Sequence, residues 1–362
     1  MTPESELLLA ILRGSEIQAP ASIDWHSLLE LADSHGVLSI FCKKYRGTLP
    51  EYLRTRARDE WTTSALLACE LESLLEHFSL RGLEVLPLKG PLLAQMLYGS
   101  PGLRQSGDLD LLVRRKDFER AQVLLKDLGF QPLSPADFYH QEFKRGNSWV
   151  ELHFLVTPPS NPGLDLRACW ERAATIQFRG QTARCFAKPD LFVYLTIHGI
   201  KHEFARLIWV LDIANALAEL HECELNQALI MARGLGIEGA LLTTCELARL
   251  SFYSRLPNSI VKAIACRPAI SIRAAAIWNG VLGDTPKPQT TPQGAELFLA
   301  LEQDARSRWT QRMRYFRLSQ QDQLWAQRHR IPLHGMLFVR PLRLLAKHGL
   351  RPVWHALFPL RR

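Results

Sequence analysis

The sequence lacks any hydrophobic run close to the roughly 20 residues that a membrane-spanning helix requires. Its first apolar stretch, residues 7–12, is short and follows two glutamates instead of the basic start of a signal peptide. We therefore predict a cytoplasmic protein with no transmembrane segment.

Closely spaced cysteines are also missing. The seven cysteines are scattered singly, and no two form a CxxC pair. An odd count with this spacing argues against a disulfide framework and against a thiolate zinc site. No HExxH motif and no solenoid-type repeat is present. With 47% hydrophobic and 22% charged residues, the 362-residue chain has the composition of an ordinary globular protein.

The positive charge is unevenly distributed. Residues 305–362 hold 13 Lys or Arg and one acid, so this tail carries +12 although the whole chain carries +8. The tail also interleaves basic with aromatic and aliphatic residues, which suits contact with nucleic acid or an anionic surface. A helical cap with a solvated basic face, or a partly disordered end, would give the same pattern.

Hydrophobic periodicity divides the chain into four parts. Residues 1–62 are predicted to form a helical N-terminal region, and residues 63–187 an α+β domain with a small mixed sheet. Residues 188–284 are predicted to be helical again, and residues 285–362 to be a proline-rich linker followed by the basic tail. Within the α+β part, strands are expected at residues 85–88 and 109–113, and in a hairpin that turns at Gly146 and Asn147.

An Asp-x-Asp motif opens the strand at residues 109–113. Side chains two apart on a strand point to the same face, so Asp108 and Asp110 should project together while Leu109 and Leu111 pack into the core. Paired carboxylates are suitable ligands for Mg²⁺. A solvated strand end with two ordinary acids is the competing interpretation.

The neighbouring sequence adds groups suited to phosphate chemistry. Lys89 and Gly90 lie between a predicted strand and a helix start, where free backbone N–H groups attract phosphate. Arg104 precedes Asp108 by four residues, and Glu151 supplies a third carboxylate from a later strand. His153, on the same strand face as Glu151, is either a supporting partner or a core polar residue. Three acids, a glycine turn and flanking cations indicate phosphoryl transfer.

The runs LPLKGPLLAQMLYGSPGLRQSGDLDLLV, VELHF and HGIKHEFARLIWVLDI resemble the uncharacterised nucleotidyltransferase family within the DNA polymerase β-like superfamily, over about residues 61–220. The resemblance implies an α+β nucleotidyltransferase core with a small mixed sheet, flanked by helical N-terminal and C-terminal regions. It also implies that Asp108, Asp110 and Glu151 hold two Mg²⁺ ions, and that Glu151 helps to deprotonate the attacking hydroxyl. The substrate would be an NTP such as ATP.

The superfamily's Gly-Ser pair has two candidate counterparts here. Lys89-Gly90 lies between a strand and a helix, which favours it, whereas Gly99-Ser100 has the more familiar distance to Asp108 but could be a simple helix cap.

A second group of polar residues follows on a predicted helix. His198 and His202 are one helical turn apart, with Arg206 beyond them. They are expected to line the cleft and contact the nucleotide or the acceptor, with Asp212 as a further candidate. Structural histidines would give the same spacing.

Three functions fit these residues. The first is a Mg²⁺-dependent enzyme that moves a nucleoside monophosphate from NTP to a hydroxyl acceptor, which could be a small molecule, a peptide or RNA. The second is a catalytically lapsed nucleotide- or RNA-binding module acting through residues 305–362. The third is a toxin-like transferase acting on tRNA or protein.

Overall fold

The computed structural model describes residues 2–159, 161–281, 301–302, 305–315, 322, 325–326, 328–332, 335–336 and 339–340. The predicted linker at residues 285–292 and most of the basic tail lie outside these residues. Within the tail, one helix is described at Ala305–Tyr315, and Arg340 pairs with Asp322 at 2.7 Å. No helix in the described ranges is both long and apolar enough to cross a membrane.

The N-terminal part is helical, as predicted. Asp24 caps the second helix by accepting a hydrogen bond from the His26 backbone N–H, which satisfies one of the free donors at the helix start. The first predicted domain boundary, after residue 62, falls inside the fourth helix. The four helices are α1 (Pro3–Leu12), α2 (Trp25–Ser34), α3 (Leu38–Lys44) and α4 (Glu51–Leu80).

The middle of the chain forms an α+β unit around a small mixed sheet, which confirms the predicted fold class. Its strands are β1 (Val85–Pro87), β2 (Leu109–Val113), β3 (Gln131–Pro132), β4 (His140–Arg145) and β5 (Ser148–His153). They lie in the order β1-β2-β5-β4-β3, and only β2 and β5 are parallel. The helices of this unit are α5 (Pro91–Tyr98), α6 (Phe118–Asp127) and α7 (Leu166–Arg172). A separate hairpin follows, formed by β6 (Ala174–Phe178) and β7 (Gln181–Cys185).

The remaining described helices succeed one another with short connections. They are α8 (Lys188–Lys201), α9 (Leu207–Ala218), α10 (Glu222–Gly234), α11 (Glu238–Phe252), α12 (Asn258–Ala265), α13 (Pro268–Val281) and α14 (Ala305–Tyr315).

Two hydrophobic cores hold these elements together. The larger one packs the N-terminal helices against α8 to α11. The smaller one packs the second half of α4 and helix α6 against one face of the sheet, through residues such as Leu109, Leu111 and Leu152. Since side chains alternate along a strand, Asp110, between Leu109 and Leu111, and Glu151, just before Leu152, project from the opposite face. That face is available for chemistry.

Candidate active site

Two carboxylates meet across the parallel pair of strands. Asp110 on β2 is directly opposite Glu151 on β5 in the strand register, so both side chains leave the same face of the sheet. Asp108 immediately precedes β2 and projects to that face as well. Asp110 is buried, with 3% of its surface exposed, whereas the Asp108 side chain is 32% exposed. The three acids line one cavity.

Lys89 lies between the two aspartates. Its ammonium is 3.0 Å from Asp110 Oδ2 and 3.4 Å from Asp108 Oδ1. The contact with Asp110 is an ion pair without the alignment of a hydrogen bond, because Oδ2 has no hydrogen-bond partner among the described residues. Lys89 therefore neutralises part of the repulsion between the two carboxylates.

Gly90 shapes the turn that carries Lys89. It caps α5 with φ +76°, a conformation that favours glycine, and a Cβ there would lie 3.4 Å from the Asp108 carbonyl oxygen. Gly90 is not among the residues that line the cavity. The alternative counterpart, Gly99, caps the far end of α5 in a left-handed conformation and does not line the cavity either. Of the two candidate turns, only the first adjoins the Asp-x-Asp motif.

His153 connects the acids of the two strands. Its Nε2 lies 3.2 Å from Asp110 Oδ1 and 3.2 Å from Glu151 Oε2. One oxygen of Asp110, one oxygen of Glu151 and one nitrogen of His153 all fall within 4.8 Å of one another. His153 thus contacts the acidic group directly.

The cavity has a volume of about 640 Å³ and is open to solvent. One wall is the polar face of the sheet. The other wall comes from α8, α9 and the segment between them. It includes His198, His202 and Arg206, which were predicted from the sequence, and Lys201, which lies next to His202 in the chain. Trp209 closes this wall, with its ring centroid 5.6 Å from that of His198 and 5.1 Å from that of His202.

Arg104 also lines the cavity, but its guanidinium is bound on the side away from the cavity by Asp212. It donates to both oxygens of Asp212 at distances of 2.9 to 3.1 Å, and Tyr98 donates a further hydrogen bond to Asp212 at 2.7 Å. Arg104 and Asp212 are 4% and 1% exposed. This buried pair anchors the segment that leads to Asp108, and Asp212 does not line the cavity.

A sequence model described as "Uncharacterised nucleotidyltransferase" matches residues 21–253, which is well over half of the chain. The chain belongs to the uncharacterised nucleotidyltransferase family. The match includes the whole sheet, the cavity and all the site residues predicted from the sequence.

Two solved nucleotidyltransferase structures show a low similarity to the chain. The crystal structure of ANT(2")-Ia in complex with adenylyl-2"-tobramycin is 12% identical, with a TM-score of 0.37 over 46% of this chain and 95% of that chain. An antigenic nucleotidyltransferase-like protein from Paracoccidioides brasiliensis is 20% identical, with a TM-score of 0.31 over 60% of this chain and 93% of that chain. No curated protein sequence matches the chain.

Burial and charge shift the pKa values of the acidic group in opposite directions. Burial, followed by repulsion from Asp110, raises the pKa of Asp108 to about 6. Burial would also raise the pKa of Asp110, but Lys89 and His153 outweigh it and lower that pKa. For His153, burial is outweighed by its hydrogen bonds to Asp110 and Glu151, which raise its pKa to about 9. Asp110 therefore stays ionised near neutral pH.

On the helical wall, burial keeps His198 and His202 neutral. It lowers the pKa of His202 to about 4 and that of His198 well below its usual value, with nearby lysines adding to both effects. Neutral imidazoles can donate and accept hydrogen bonds without adding charge.

Lys201 is a further cavity residue, which the motifs in the sequence did not predict. Burial lowers its pKa, partly offset by Glu151. No carboxylate lies within 4 Å of its ammonium in the described part of the chain, unlike that of Lys89. Its position about one helical turn from His198 could have indicated that it faces the same cleft. Tyr139, His140 and Glu142 were missed as well, although the alternation along β4 places His140 and Glu142 on the face that carries Glu151.

The donors on this face fit a hard divalent cation. Asp108, Asp110 and Glu151 offer carboxylate oxygens, the ligands that Mg²⁺ prefers, and Asp110 Oδ2 is buried without a hydrogen bond. The open cavity leaves room for phosphate oxygens beside them.

Proposed function

We propose that this protein transfers a nucleoside monophosphate from an NTP to a hydroxyl group of an acceptor, in a Mg²⁺-dependent reaction. The observation that carries the proposal is the opposed pair Asp110 and Glu151, next to Asp108, in the lining of an open cavity. Membership of a nucleotidyltransferase family supports the same reaction class.

In this proposal, the divalent cations are held by Asp108, Asp110 and Glu151. Their number is two, as in the superfamily that the Asp-x-Asp motif resembles. Mg²⁺ supplies positive charge that stabilises the phosphoryl oxygens during transfer. Lys89, already in contact with both aspartates, keeps them close together when they are not shared with a cation.

The nucleotide would be held by cations and rings of the cavity wall. Lys201 has no carboxylate partner within 4 Å among the described residues, so its ammonium is available for a phosphate of the NTP. His198 and His202, being neutral, can donate N–H groups to the nucleotide or the acceptor. Arg206 already bonds the Ser34 carbonyl oxygen and Gln105, so it supports the wall and can add one contact. Arg104 would add positive charge at the edge of the phosphate site. Gly90 would shape the turn that carries Lys89.

At the phosphorus, the chemical step forms one bond and breaks one, and a proton moves from the acceptor hydroxyl to a carboxylate. The acceptor oxygen attacks the α-phosphorus, the bond from that phosphorus to the bridging oxygen breaks, and pyrophosphate leaves with its electron pair. Glu151 takes the proton of the acceptor hydroxyl. His153, in contact with Glu151, holds that carboxylate in place.

The experiment is a label-transfer assay. The full-length protein is incubated with cell extract, Mg²⁺ and each of the four NTPs, labelled at either the α- or the γ-phosphate. We expect an acceptor to become labelled from the α-position with release of pyrophosphate. Labelling from the γ-position would instead identify a kinase, and the absence of any label under all conditions would contradict the proposal.

A further inference from the structure

A second group of metal-ligand atoms lies beside the three acids, toward the sheet edge. Glu142 on β4 is opposite Glu151 on β5, and His140 is opposite His153, so all four side chains share one face. One ligand atom each of His140, Glu142 and Glu151 falls within 4.8 Å of the others. His140 Nε2 is 3.8 Å from Glu142 Oε1.

His140 is held in the orientation of a metal ligand. Its Nδ1 lies 3.0 Å from Asp137 Oδ2, although the two atoms are not aligned as a linear hydrogen bond. Asp137 is fixed in turn, because its Oδ1 accepts hydrogen bonds of 2.8 Å from the backbone N–H groups of Tyr139 and His140. A carboxylate behind a histidine favours the tautomer with the proton on Nδ1 and leaves the Nε2 lone pair free for a metal.

Neighbouring rings limit the movement of His140 further. Its ring is stacked on Tyr139 at a centroid distance of 4.0 Å and on His153 at 5.1 Å, with angles of 27° and 19° between the planes. The side chain is 12% exposed, and the residue lines the cavity. The imidazole is therefore preorganised, with Nε2 facing Glu142.

We propose that His140, Glu142 and Glu151 form a binding site for a divalent transition-metal ion of the Zn²⁺ class. One imidazole nitrogen and two carboxylate oxygens suit Zn²⁺ better than Mg²⁺, which prefers an all-oxygen shell. Three protein ligands leave a fourth position open toward the cavity, where water or a substrate oxygen completes the tetrahedron.

The site is distinct from the acidic group proposed for nucleotide transfer. It contains neither Asp108 nor Asp110, and only Glu151 belongs to both groups. Because of that shared carboxylate, an ion at His140 would restrict the conformations of Glu151. Binding of the ion itself requires no nucleotide and no transfer activity.

The test is metal binding by the full-length protein after removal of metals with a chelator. Wild type, His140→Gln, Glu142→Gln and Asp108→Asn are titrated with Zn²⁺, followed by calorimetry, and with Co²⁺, followed by its visible absorption. Circular dichroism verifies the fold of each variant. We expect wild type and Asp108→Asn to bind one equivalent that His140→Gln and Glu142→Gln lose.

Asp137→Asn provides a graded check. It leaves the three ligands in place but removes the carboxylate behind His140, so the affinity should fall by roughly 10- to 100-fold. The site would be overturned by absence of the Co²⁺ band in wild type, by wild-type band intensity and stoichiometry in both His140→Gln and Glu142→Gln, or by loss of this equivalent in Asp108→Asn. None of these outcomes depends on whether the protein transfers nucleotides, so failure of the site and failure of the proposed function are separable.

Discussion

Asp110 and Glu151 occupy opposed positions on adjacent parallel strands, and a single imidazole nitrogen of His153 lies 3.2 Å from an oxygen of each. A shift of one residue in the register of β5 would turn Glu151 toward the α4 and α6 side of the sheet. Val150 and Leu152 prevent that shift, because both are buried in the smaller core. The core of the sheet therefore fixes the geometry of the acids.

Lys201 is expected to bind the phosphates of the NTP. Replacing it in Lys201→Met removes the ammonium and keeps most of the apolar stem. A hydrogen bond to a charged group contributes roughly 1.5–3 kcal/mol, so KM for NTP should rise by about 10- to 100-fold with a smaller change in kcat. Steady-state kinetics of label transfer measures both constants.

The matched control for this variant is Lys188→Met, at the start of the same helix. Lys188 lies outside the cavity and bonds the Glu219 carbonyl oxygen at 2.8 Å. Its KM should remain at the wild-type value. An unchanged KM in Lys201→Met would remove Lys201 from the nucleotide site.

The buried Arg104–Asp212 pair is expected to position the Asp-x-Asp motif. Asp212→Asn leaves the guanidinium of Arg104 without a buried counter-charge, which typically lowers the free energy of unfolding by about 3–5 kcal/mol. The segment that Arg104 contacts, at Gln105 and Ser106, would lose its anchor. We expect turnover at saturating NTP to fall, measured at a temperature where the variant is folded.

Tyr98→Phe distinguishes this positioning effect from general destabilisation. It removes one hydrogen bond to Asp212 but leaves the ion pair, so the free energy of unfolding should fall by about 1 kcal/mol with turnover preserved. Full turnover in folded Asp212→Asn would show that the segment holds its position without the pair.

His35 is expected to make stability depend on pH. Its Nδ1 accepts a hydrogen bond of 3.1 Å from the Leu207 backbone N–H, which links α2 to the start of α9. Burial, with a smaller effect from Arg206, lowers the pKa of His35 to about 4. The unfolded chain binds this proton near pH 6.5, so the stabilising contribution is complete above pH 6.5 and is lost as the pH falls toward 4.

The size of the effect follows from the shift between these pKa values, and its upper limit is about 3 kcal/mol. Free energies of unfolding measured from pH 4.5 to 7.5 should fall more steeply toward acid in wild type than in His35→Asn, whose amide oxygen can still accept from Leu207. Parallel curves for the two proteins would assign the pH dependence to other groups.

Local patterns in the sequence were sufficient for most of the elements. The strand expected at residues 109–113 is β2, and the hairpin turn at Gly146 and Asn147 joins β4 to β5. These features depend on alternation, helical period and turn residues, all of which act over a few positions.

The long-range part of the site could not be predicted in the same way. Arg104, predicted for the nucleotide site, lines the cavity and also bonds Asp212, 108 positions away in the chain, a contact that no local pattern indicates. Lys89 was expected to contact phosphate, and it lies between Asp108 and Asp110. The periodicity of α8 gives the spacing of His198 and Lys201 but not which element they face. Only the packing of α8 opposite the sheet places them in the cavity.

The central claim is that Asp108, Asp110 and Glu151 act as one Mg²⁺-binding group, and label transfer by their variants tests it most directly. Asp108→Asn, Asp110→Asn and Glu151→Gln are compared with Glu119→Gln, an exposed control on α6. We predict that each of the three loses at least about 100-fold in Mg²⁺-dependent transfer from the α-phosphate, with an unchanged circular dichroism spectrum and full activity in the control. Wild-type turnover in folded Asp108→Asn or Asp110→Asn would contradict the claim.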